Sequence, residues 1–142
     1  MCFAMLAFTF TVSACGGKSD AEKAREAAAN AASAGVCDAT ALSGDTGLPA
    51  KFPEPDGVTY KKTKSAGPSV IVDATYDGDI DAGYSAYEKA VGDAGYKVLR
   101  KEKEEDDAEI EYQGGGKTGQ IALRNSCGES DKIAVNITNR PR

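Results

Sequence analysis

One apolar stripe constrains this fold more than any other feature. Ile80, Tyr84, Tyr87, Val91 and Ala94 recur at spacings of four, three, four and three, which puts all five on one side of an α-helix. Asp77 or Asp79 stands where a cap accepts the first free N–H groups, and the neighbouring aspartates suit the positive end of the helix dipole. Gly95 stands where a left-handed stop is expected. The spacing predicts a helix over residues 79–94.

Around it the period changes to two. Residues 58–64 and 69–76 flank the turn group Ser65-Ala66-Gly67-Pro68 and predict two strands. Tyr96 and Val98 start a further extended run after the helix. Ala108, Ile110 and Tyr112 then alternate with Glu109, Glu111 and Gln113, Ile121 and Leu123 with Ala122 and Arg124, and Ile133, Val135 and Ile137 with Lys132, Ala134, Asn136 and Thr138. Gly114-Gly115-Gly116-Lys117-Thr118 and Gly128-Glu129-Ser130-Asp131 separate these runs as turns. Such a series is an antiparallel meander with one solvated face. The expected class is α+β, a two-layer sandwich with one main helix packed on an antiparallel sheet of about five strands in the order ββαβββ. Residues 48–57, LPAKFPEPDG, hold three prolines and predict an extended entry segment whose Phe52 plugs the edge of the domain.

The N-terminus carries a different signal. Residues 1–12 are almost all apolar. The run is shorter than the about 20 residues needed to span a bilayer and has the length of a signal-peptide core. It ends Val12-Ser13-Ala14-Cys15, followed by Gly16-Gly17. Over these first sixteen or so positions the chain resembles bacterial lipoproteins at their lipobox. That resemblance implies a signal peptide over residues 1–14, cleavage before Cys15 and a diacylglyceryl group on the Cys15 thiol. The protein would then be lipid-anchored to a membrane of the bacterial cell envelope, with its domain outside the cytoplasm. The absence of Asp after Cys15 implies the outer membrane in a Gram-negative cell. No Lys or Arg precedes Lys18, so a start upstream of Met1, or a weak signal peptide, is expected. A buried N-terminal strand or helix is the competing reading, which Gly16-Gly17-Lys18-Ser19-Asp20 would continue poorly.

Residues 15–35 read as the lipidated cysteine and an Ala-rich tether. Ser19 and Glu22 have capping-box spacing, alanine favours helix, and Gly35 is placed to stop it. With no large apolar face the segment is expected to be a stalk; a packed first helix is the alternative. Residues 36–142 form the single globular domain. With Cys2 in the signal peptide and Cys15 lipidated, Cys37 and Cys127 remain. They are expected to form a disulfide in an oxidising compartment; two free buried thiols are the other possibility.

Composition narrows the chemistry. The net charge is −5, and residues 1–14 contribute none of it, so nucleic acid is a poor partner. Absence of histidine and tryptophan removes the commonest general base, the commonest zinc ligand and any Ser-His-Asp arrangement. With the cysteines committed as above, no thiol nucleophile is left, and a noncatalytic protein without cofactor is expected.

No metal is expected either, although Asp77, Asp79, Asp81 and Glu88 stand at positions 1, 3, 5 and 12 of a calcium-loop pattern. Ala82 replaces the glycine that the loop requires, and the same residues carry the helical stripe. Gly114 to Thr118 lacks the first glycine of a phosphate loop, Glu111 standing there, and reads as a hairpin turn. The carboxylates between Glu102 and Glu111, interleaved with Lys101 and Lys103, read as a solvated strand end, with a face for cations or basic partners as the alternative. The sequon at Asn136 lies on a strand and reads as coincidence. Lys61, Lys62 and Lys64 suit a protected edge strand. The tyrosines at 60, 76, 84, 87, 96 and 112 are expected to pack in the core; a tyrosine-lined groove for peptide or glycan is the alternative.

The functional expectation is a noncatalytic, membrane-anchored lipoprotein presenting a small interaction domain to a protein or envelope partner. The alternative is a lipoprotein binding a small ligand or calcium through its acidic segments.

Overall fold

A computed structural model describes residues 35–128 and 131–142. The elements are β1 (Val58–Ala66), β2 (Ser69–Asp77), α1 (Ile80–Asp93), β3 (Lys97–Lys103), β4 (Asp107–Gly114), β5 (Lys117–Arg124) and β6 (Lys132–Pro141). The strands form one sheet in the order β1-β2-β6-β5-β4-β3, each neighbour antiparallel. After the β1–β2 hairpin, α1 carries the chain to the opposite edge of the sheet. The β3–β6 meander then returns and closes on β2, so the last strand lies beside the second.

The sheet has six strands, not about five. The additional one is β3, whose residues Lys97 to Lys103 are nearly all exposed. Charge hides this strand in the sequence, because an edge strand needs backbone pairing on one side only and little apolar burial. Val98 pairs with Tyr112, and a bulge at Leu99 then shifts the register so that Arg100 opposes Glu111. The other edge, β1, bulges at Lys61. Both edges thus combine lysines with an irregularity that discourages further pairing.

Helix α1 agrees with the expected segment to one residue at each end. Asp79 is the N-cap, its Oδ1 accepting from the Ala82 N–H at 2.8 Å. Gly95 adopts φ +74°, and the Tyr96 N–H closes the end on the Val91 carbonyl at 3.0 Å. The buried face differs from the stripe. Ile80, Gly83, Tyr87 and Val91 are buried, whereas Tyr84 is half-buried and Ala94 exposed. A Cβ on Gly83 would lie 2.8 Å from Ile133 Cδ1 and 3.2 Å from Tyr76 Cδ1. The missing side chain lets the helix settle close to Tyr76 and Ile133 on that side, and Ala94 lies past the last helical residue as the C-cap.

The core lies between α1 and one sheet face. Val72, Ala74 and Tyr76 of β2, Ile133, Val135 and Ile137 of β6, Ile121 and Leu123 of β5, and Ala108, Ile110 and Tyr112 of β4 all face it and are buried. Helix α1 lies over β3, β4 and β5. A strap before β1, turned where the Phe52 N–H donates to the Pro49 carbonyl at 2.8 Å rather than extended throughout, packs Leu48 and Phe52 against the same core, and the Thr63 hydroxyl donates to the Thr46 carbonyl at 2.7 Å. Phe52 is half-buried and packs against the core from outside. Its ring meets Tyr96 and Tyr112 edge-on, with centroids 6.3 and 5.6 Å apart.

Cys37 and Cys127 form a disulfide, with Cα atoms 5.4 Å apart across a sequence separation of 90. It ties the start of the domain to the β5–β6 connection. Residues 35–37 are helical, Gly35 included. Cys15, the expected signal peptide over residues 1–14 and the expected tether to residue 34 lie outside the described residues.

Candidate functional site

The sheet face turned away from α1 is built by the polar half of each strand's alternation. Ile71 and Asp73 of β2, Asn136, Thr138 and Arg140 of β6, Thr118, Gln120 and Arg124 of β5, and Glu109 and Glu111 of β4 share it. The face is not uniformly solvated. Toward the α1 entry, Thr75, Ala122 and Ala134 are buried, at 1, 7 and 4 % exposure. Toward the opposite end, near the β1–β2 and β4–β5 turns, a groove of about 380 Å³ is open to solvent.

Several charges on this face pair off; among the described residues Glu111 and Arg140 in the groove, and Lys62 and Lys64 of β1, opposite Asp73 and Ile71, do not. Arg100 meets Glu102 at 2.7 Å. Arg124 reaches Asp107 at 3.5 Å and Glu109 at 3.7 Å. Asn136 Nδ2 donates to Asp73 Oδ1 at 2.6 Å, which also absorbs the asparagine of the sequon. Arg140 and Glu111 line the groove and make no ion pair among the described residues. They stand on β6 and β4, on either side of β5, one step apart along the strands. Strand spacing and rise put their backbones about 12 Å apart. Between them lie Thr118, Gln120 and Thr138, with Ser69 and Ile71 on the β2 side. The arrangement offers a cation, an anion and a row of neutral donors and acceptors.

The four calcium-pattern residues are sent to separate tasks. Asp77 ends β2. Asp79 caps α1. Asp81 pairs with Lys103, and Glu88 with Lys101. These contacts hold both lysine ammoniums above their usual value, chiefly through the hydrogen bonds to Glu88 and Asp81. Asp79 and Asp81 do border a depression of about 210 Å³ with Glu105 and Asn125. Among the described residues no group of three or more His, Cys, Asp or Glu is placed to hold a metal ion. Gly115 and Gly116 form the two-residue turn between β4 and β5, both with positive φ, as a type I′ hairpin requires. The carboxylates of residues 102–107 lie on β3, its turn and the start of β4.

The tyrosines pack in or against the core. Tyr76, Tyr87, Tyr96 and Tyr112 are buried, and Tyr60 and Tyr84 half-buried. Burial pushes the Tyr112 hydroxyl up to about 12, against a lowering by its hydrogen bond with Asn139. Burial and the neighbouring Glu54 carboxylate raise Tyr60 further. Burial raises Tyr87 as well, and its hydroxyl has no hydrogen-bond partner among the described residues.

Sequence reasoning missed the groove. Thr118, Gln120, Thr138 and Arg140 are legible as outward positions, but no local pattern says that β4 and β6 flank the same strand. Among the described residues no helix is long and apolar enough to cross a membrane. A scan against protein-family models matches none, and comparisons with curated proteins and with solved structures return no match.

Proposed function

We propose that the protein is a noncatalytic lipoprotein of the bacterial cell envelope, anchored through Cys15 and presenting its α+β domain to a partner outside the cytoplasm. The observation that carries this reading is Val12-Ser13-Ala14-Cys15 at the end of a short apolar run. The Cys37–Cys127 disulfide supports it, because disulfides persist in oxidising compartments. It also removes both thiols of the domain as nucleophiles. The polar sheet face supplies the interaction surface.

The test is metabolic labelling with a fatty-acid analogue in a bacterial host expressing the gene with its native upstream sequence. The expected result is label on the parent, none on Cys15→Ala, and a mature mass that begins at residue 15. An unlabelled, soluble or uncleaved parent overturns the anchor.

A second reading, small-ligand binding, is favoured by the groove rather than by the acidic segments, whose carboxylates at residues 79, 81 and 88 serve a cap and ion pairs.

A further inference from the structure

We infer that the groove between Glu111 and Arg140 binds a short peptide with free termini, its carboxylate on Arg140 and its ammonium toward Glu111. The inference rests on reading the polar sheet face as the interaction surface. Three features of the groove argue for it.

The first is charge placement. The other acidic and arginine side chains of β3–β5 on this face are paired. Among the described residues Lys62 and Lys64 stand unpaired on the edge strand β1, and the unpaired Arg140 and Glu111 both line the groove. A ligand with one charge would meet a favourable group and also the opposite one. A zwitterion satisfies both, and a guanidinium offers a carboxylate two parallel hydrogen bonds.

The second is length. The backbones of Glu111 and Arg140 stand about 12 Å apart by strand spacing and rise. An extended tripeptide covers about 10 Å and a charge-assisted contact at each end adds about 2.8 Å, so the peptide is held with the Glu111 and Arg140 side chains each leaning outward by about 2 Å. The groove volume of about 380 Å³ falls at the small end of ligand sites.

The third is the chemistry between the charges. Thr118, Gln120 and Thr138 each offer donor and acceptor atoms, which matches the alternating N–H and C=O groups of a peptide backbone. Ile71 adds an apolar spot for a small side chain.

The experiment is amide chemical-shift titration of the isotope-labelled full chain, purified from its host in detergent micelles. The probe is trialanine, with its C-terminal amide and its N-acetylated form as controls. Saturable shifts are expected at Thr118, Gln120 and Thr138. Affinity should fall about tenfold or more for each blocked probe, and likewise for Arg140→Gln or Glu111→Gln with the free probe, as loss of a charge-assisted contact implies. Absence of saturation, shifts confined to other positions, or equal affinity for the blocked probes and the two variants overturns the inference. Failure here leaves label on Cys15 unaffected, so it is distinguishable from failure of the anchor.

Discussion

Asn139 donates its side-chain N–H to the Tyr112 hydroxyl at 2.8 Å across a strand to which neither residue belongs. Tyr112 lies on β4 and Asn139 on β6, and Gly119 of β5 is paired with both. The tyrosine ring crosses the gap that the glycine leaves, and its hydroxyl donates to the Thr138 carbonyl at 2.8 Å. Asn139 is only 3 % exposed, so this hydrogen bond partners an amide that would otherwise be costly to bury.

Gly119 is therefore the position least able to take a side chain. A Cβ there would stand 1.9 Å from the Thr138 carbonyl oxygen and 2.6 Å from the Tyr112 hydroxyl. Backbone cannot yield as a flexible side chain can. Gly119→Ala is expected to lose on the order of 3 kcal/mol, read as a lower urea midpoint at unchanged slope. An unchanged midpoint would show that β5 and β6 part freely.

The disulfide closes a separation of 90 residues. Chain-entropy reasoning assigns such a closure about 4–5 kcal/mol. Cys37→Ala combined with Cys127→Ala should lower stability by about that amount, and reductant should reproduce the loss in the parent alone. If reductant leaves the parent's unfolding midpoint in place, the two cysteines are not bonded in solution.

Stability should fall at alkaline pH. An unfolded tyrosine titrates near 10.0, whereas Tyr112 is held protonated to about 12 in the fold. Between these values the unfolded chain has released the proton and the native chain retains it. The native state then binds more protons, so stability falls as pH rises. The contribution is complete below pH 10 and lost through about pH 12, with Tyr60 and Tyr87 acting in the same direction. Thermal midpoints followed beside tyrosinate absorbance check this. Ionisation of all tyrosines in the still-folded protein near pH 10 would contradict it.

Asp79 is expected to act as a helix cap. Asp79→Ala removes the bond to the Ala82 N–H and should cost about 1 kcal/mol. The loss should be the same in calcium and in chelator. A parent midpoint that rises with calcium, and no longer does so in Asp79→Ala, would restore the calcium loop.

Much of the fold was legible because its signals are local. The helix was readable to within a residue at each end, since its caps and its 3.6-residue stripe lie inside one segment. The meander was readable because apolar alternation and glycine turns recur together. β3 was only half legible. Its charges belong to an edge strand whose lysines fold toward α1 to meet Glu88 and Asp81, and such partners are invisible until the helix is placed over it. The buried Gly83 was missed for a similar reason. A stripe counts apolar side chains, whereas the packed face also uses an absent one.

Alone, the sequence determined the helix and every strand but β3, and which side of each of those strands is apolar, because both follow from periodicities of a few residues. It also determined that no histidine is available for catalysis. Only the tertiary structure decided that β6 lies between β2 and β5, that Gly119 makes room for Tyr112, and that Glu111 and Arg140 frame one groove. The first and last of those relations join residues distant in the chain, such as Val70 with Asn139 and Glu111 with Arg140, and they arise when burying one face of the whole sheet selects a single strand order and register. Local pattern sets each strand's two faces; the closing of the meander onto β2 sets which outward residues become neighbours.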